Sequence, residues 1–78
     1  MNSKVNEGVR SLSVKEIKAL QCAAEGLGNK ATALRIGVSI ETVKDYRSAA
    51  FLKLDALNVT HAVALAMASG IIKLEAPK

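Results

Sequence analysis

The sequence predicts an all-α domain of four helices built around a helix-turn-helix, and three observations carry that prediction. The stretch from Asn29 to Leu54, NKATALRIGVSIETVKDYRSAAFLKL, reads as two helices joined by a very short turn. Helix-capping residues recur at Ser13, Ser39 and Asn58, each just before an apolar periodic run. Half of the 78 residues are apolar, yet many are alanines, with one Phe, one Tyr and no Trp. A core made of such residues needs closely packed helices. A chain of this length buries only about 60% of its unfolded surface, so packing partners matter.

The segment 1–11 is polar and shows no usable period, so it reads as a flexible N-terminal arm or linker, with Lys4 and Arg10 as solvated charges. The domain proper is expected over 12–73. Its first helix starts at Ser13, where Ser13-Val14-Lys15-Glu16 fits a capping box and Leu12 can staple onto Ile17. Glu16, Ala19, Leu20 and Ala23 share one face, widened by Ile17 and Ala24. Gly26 and Gly28 end this helix. Cys22 packs as a small apolar group.

The second helix runs from about Asn29 to Ile36, with Lys30 in its first turn, where helix N–H groups and a cation together favour an anion. Gly37 supplies the positive φ of a tight stop. Val38 fills the space between the helices, and Ser39 caps the third helix by accepting from Glu41 or Thr42 N–H. Small Ala33 permits close approach. The third helix spans about Ile40 to Leu54 or Asp55, with positions 43, 47, 50, 51 and 54 on one face. Arg47 is the odd member there, its stem expected to run along the core edge and release the guanidinium to phosphate or a carboxylate. Glu41, Lys44, Asp45 and Ser48 lie opposite, on the face a helix-turn-helix presents to the major groove. Lysine donates to guanine O6 and N7, aspartate accepts from cytosine N4, and serine does either. An ordinary solvated helix face is the competing reading.

Asn58 caps the fourth helix, which ends near Ser69 with Gly70 as its stop. VTHAVALAMAS is apolar nearly all round, more than one small domain can bury by itself. A homodimer contact through Val59, Ala62, Val63, Ala66 and Met67 is therefore expected. His61 reads as a first-turn surface residue. Ile71 and Ile72 fold back onto the core, and 74–78 is a tail containing Pro77.

The net charge of +4 and a pI near 9.5 point modestly to an acidic partner. One cysteine excludes an internal disulfide and fits a reducing, cytoplasmic setting. No apolar run approaches membrane-spanning length. One His, one Cys and scattered carboxylates make no catalytic or metal constellation, so no enzyme, metal or cofactor is expected.

From Leu12 to Ile72 the chain resembles the DNA-binding domain of LuxR/GerE-type, NarL-like transcription regulators. The matching pieces are Leu12-Ser13 with Glu16, Leu20, Ala24-Glu25-Gly26-Leu27, Asn29-Lys30, Ala33 with Ile36-Gly37-Val38-Ser39, and Thr42-Val43-Lys44. Phe51, Lys53-Leu54, Asn58 and Ala62-Val63 follow at the family's spacing. The resemblance implies a sequence-specific transcription regulator with double-stranded DNA and a second copy of the chain as partners, and RNA polymerase or another regulator beside them. It implies that Lys44 faces the groove, that Lys30 and Thr42 hold phosphates, and that Glu16 and Lys53 form an ion pair between the first and third helices.

Several positions depart from that pattern. Thr32 stands where the family prefers a large aliphatic, which is expected to weaken the core between the helices, Arg47 replaces an aliphatic, Tyr46 replaces a common His, and Ala31 a frequent Glu. Leu34 and Ile17 stand where charges are usual, so extra apolar surface is expected outside. Asp45 adds negative charge to the reading face. The alternative reading is a small LuxR-like module that binds another regulator. The starting Met and a C-terminal tail of its own composition favour a stand-alone domain over a fragment.

Overall fold

The computed structural model describes residues 3–74, with side chains from residue 7 onward. The helices are α1 (Ser3–Ser11), α2 (Val14–Ala24), α3 (Asn29–Ile36), α4 (Ile40–Leu54) and α5 (Val59–Ala68). The class is all-α, and α2 to α5 are the four helices expected from the sequence. Lys4's side chain and residues 75–78 of the expected tail lie outside the described residues.

α4 is the hub, packed against α1, α2, α3 and α5. Leu12, Leu20, Ala50, Leu54, Ala62, Ala66 and Ile72 form the shared core. Three of those seven are alanines, so the helix axes come close enough for backbone to fill space that larger side chains fill elsewhere. Each cap has its expected partner. Ser13 Oγ accepts from Glu16 N–H at 3.1 Å while Glu16 Oε1 accepts from Ser13 N–H at 2.9 Å, completing the capping box. Asn58 Oδ1 accepts from His61 N–H at 2.9 Å.

The segment read as a flexible arm is instead the helix α1 over most of its length, and this corrects the sequence reading. A polar helix of nine residues is too short to hold by itself. It holds by docking on α4. Gly8 is buried, and any side chain there would land on the backbone carbonyl of Lys53. The Lys53 ammonium then donates to Ser11 O at 2.9 Å and to Glu16 Oε1 at 2.7 Å, joining α1, α2 and α4. Burial pushes the Glu16 carboxyl up, but the Lys53 ammonium and the Ser13 N–H outweigh it, so its pKa lies below the ordinary carboxylate value.

Three further expectations are corrected. Ile17 is half-buried against the core, because it lies on the helix face shared with Leu20. Thr32, expected to weaken the core, is fully buried and hydrogen-bonded. On α5, Ala62 and Ala66 are fully buried inside this chain, so they supply core rather than a contact to another subunit. Ile72 folds back as expected, and the Gln21 amide fixes it by donating to Lys73 O and accepting from Lys73 N–H. Among the described residues, no single helix is long and apolar enough to cross a membrane.

Candidate nucleic-acid interface

The unit formed by α3, the turn at 37–39 and α4 is set by backbone chemistry at the turn. Gly37 adopts φ 74°, ψ 38°, a left-handed conformation that costs a side-chain-bearing residue energy. Its N–H and that of Val38 both donate to Ala33 O, at 2.9 and 3.0 Å. Ser39 Oγ accepts from Thr42 N–H at 3.1 Å and lies 2.8 Å from Thr42 Oγ1. Val43 is fully buried on the inner side of α4, which fixes the rotation of that helix. At 100° per residue, Glu41, Lys44, Asp45 and Ser48 fall within an arc of roughly 100° on the outer side, and all four are exposed.

That face carries one cation, Lys44, against two carboxylates, Glu41 and Asp45. Lys44 Nζ sits 3.5 Å from Glu41 Oε1, an exposed i,i+3 pair that adds little stability but restrains the lysine. Asp45 has no ion-pair partner among the described residues. Ile40, 40% exposed, adds an apolar corner beside Lys44. Lys30 is exposed in the first turn of α3. Thr42 is half-buried, with its hydroxyl already engaged in the cap.

Arg47 is placed differently from the sequence expectation. Its guanidinium turns inward toward the loop before α3. Nη1 donates to Asn29 Oδ1 at 2.5 Å, and Nη2 donates to Leu27 O at 3.1 Å and Thr32 Oγ1 at 2.9 Å. The physical reason is that the loop before α3 and the Thr32 hydroxyl offer three acceptors within its reach, and a buried hydroxyl needs a partner. Burial lowers the guanidinium's pKa from its ordinary value. Arg47 is thus a positioning residue: it ties the start of α3, and Lys30 with it, to the middle of α4. Sequence reasoning missed Asn29 in this role. The departure of both Thr32 and Arg47 from aliphatic character was the available signal.

Beside this outer face of α4 runs an open groove lined by Asn29, Lys44, Arg47, Ser48, Phe51 and Val59. Leu34 is 78% exposed, as expected from its departure from the charged pattern. On α5, Val59, Val63 and Met67 form a stripe at i, i+4, i+8 spacing, with Val59 and Val63 half-buried and Met67 exposed. Thr60, Ala64 and Ala68 lie next to this stripe and are exposed, an outer row the sequence reading did not single out.

Comparison with known proteins converges on the same unit. The chain is 33% identical over 69 residues to the transcriptional regulatory protein FixJ of Azorhizobium caulinodans, covering 88% of this chain and 33% of that protein. It is 41% identical over 64 residues to the transcriptional regulatory protein YdfI of Bacillus subtilis, covering 82% of this chain and 30% of that protein. The chain therefore spans about a third of the length of these curated relatives. The profile of bacterial regulatory proteins of the luxR family matches residues 10–66, taking in α2, α3, α4 and most of α5. With that match covering most of its length and the helix-turn-helix in place, the chain belongs to the luxR family of bacterial regulatory proteins.

Proposed function

We propose that this domain binds double-stranded DNA in a sequence-specific way, as a homodimer, and regulates transcription. The observation that carries the reading is the exposed outer face of α4, Glu41, Lys44, Asp45 and Ser48, on a helix whose rotation is fixed by Gly37, Ser39 and Val43. The transcriptional regulatory relatives support it. In this reading Lys44 donates to guanine in the major groove, and Lys30, with Thr42 at the cap, meets phosphate. Arg47 holds the two helices in register. The stripe Val59, Val63 and Met67 forms the contact between copies, so that two readers face two half-sites. RNA polymerase or another regulator is the further partner through which such a complex acts.

Binding isotherms across a salt series test this. DNA affinity falls with salt, with a slope of about −0.9 per phosphate neutralised. Lys30→Ala reduces that slope by about one per copy on all sequences alike. Lys44→Ala costs about 1–3 kcal/mol on the cognate site alone. A second reading, a module that binds another regulator, is favoured by Leu34 at 78% exposure on the outer side of α3. It predicts no DNA binding even at low salt.

A further inference from the structure

We propose that Asp45 is a specificity-determining residue that accepts a hydrogen bond from the N4 amine of a cytosine in each half-site. The proposal rests on the DNA-binding reading of α4 and adds a base identity to it. Asp45 lies in the second turn of α4, exposed, on the same arc as Lys44. The two carboxylates of this face are not equivalent. Lys44 Nζ lies 3.5 Å from Glu41 Oε1, whereas Asp45 has no cation partner among the described residues. Arg47, two residues on, is turned away into the loop before α3 and does not neutralise it.

An unpaired carboxylate brought up to a polyanion is repelled unless it meets a donor. In the major groove only two groups on the bases donate, cytosine N4 and adenine N6. Adenine sets its N7 acceptor beside N6, which repels a carboxylate, and guanine and thymine offer only acceptors at their groove-facing polar atoms. Cytosine N4 has no acceptor beside it on its own base. The neighbouring Lys44 is suited to the O6 and N7 of guanine, so the two side chains together fit a short G/C-containing step. Asp45 thus discourages binding to arbitrary sequence and permits it where cytosine stands.

The test is selection from a pool of random duplexes at low salt, run in parallel with the wild-type chain, Asp45→Ala and Asp45→Asn. Circular dichroism checks that both variants keep the wild-type helix content. The wild-type chain is expected to enrich cytosine at one position of the half-site, with roughly five- to tenfold discrimination, the lower end of a base contact. Asp45→Ala levels that position and raises affinity for unrelated DNA. Asp45→Asn moves the preference to adenine, whose N6 and N7 an amide meets in a bidentate way. If all three proteins enrich the same sequences, Asp45 acts only by repelling phosphate and the proposal is overturned while DNA reading stands. If none enriches any sequence, both this proposal and the DNA-binding reading fall.

Discussion

Three acceptors converge on one guanidinium where α3 begins, and this cluster shows how far single positions can be read. Thr32 and Arg47 each depart from an aliphatic pattern, and Thr32 taken singly reads as weakening the core between α3 and α4. In the structure they are one contact, with Arg47 Nη2 2.9 Å from Thr32 Oγ1. The chemical type of both residues was legible, but their pairing was not, since they lie 15 apart in the chain and meet only when the two helices close. The energetics of the pair follow from what each loss leaves behind. Arg47→Met strands the buried Thr32 hydroxyl and the Leu27 carbonyl, and should cost about 2 kcal/mol. Thr32→Val removes a hydroxyl from a fully buried site and should cost about 1 kcal/mol alone. Made together they leave an apolar pair, and they also remove the Arg47 Nε donor, which is buried with no partner among the described residues. Urea denaturation of the four proteins in a double-mutant cycle should therefore give a total well below the sum. Strict additivity would mean that Arg47 and Thr32 act independently.

At the scale of elements, the sequence is most legible where structure is decided within a few residues. Ser13 with Glu16, Ser39, Gly37 and Asn58 all do in the structure what their local chemistry requires. The helix α1 is the opposite case. Nothing in its own nine residues favours a helix strongly, and its stability comes from the backbone of α4 more than forty positions away, against which Gly8 is seated. A methyl group at position 8 separates the two causes. Glycine inside a helix is worse than alanine by about 1 kcal/mol, so local propensity alone makes Gly8→Ala stabilising. Seating predicts the reverse, because the new Cβ meets the Lys53 carbonyl and backbone cannot yield cheaply. Hydrogen exchange on Gly8→Ala should show lost protection across α1 with α3 and α5 unchanged, and far-UV circular dichroism should lose about one short helix. Unchanged protection across α1 would place its stability in local propensity after all.

For the molecule as a whole, the open question in the sequence was where so much apolar surface goes in so small a domain. Composition showed that α5 is apolar on nearly every side, but periodicity cannot rank faces when all of them are apolar. The structure divides them: Ala62 and Ala66 close the core, and Met67, Ala64 and Ala68 remain outside. That division makes the homodimer testable without disturbing the fold. Met67 is 40% exposed and Ala64 is exposed, so a glutamate at either place should change monomer stability by no more than about 0.5 kcal/mol. Across a symmetric crossing of two α5 helices, the same substitution places two like charges together at a desolvated contact, which is costly without a counter-charge. Sedimentation equilibrium with DNA present should then give two copies per site for the wild-type chain and one for Met67→Glu or Ala64→Glu. Footprints should shrink in parallel, from two half-sites centred about 10 bp apart to one. Two copies per site with both variants would remove the outer side of α5 from the interface. The second reader would then have to be held by another surface, with the exposed Leu34 of α3 the next to be substituted.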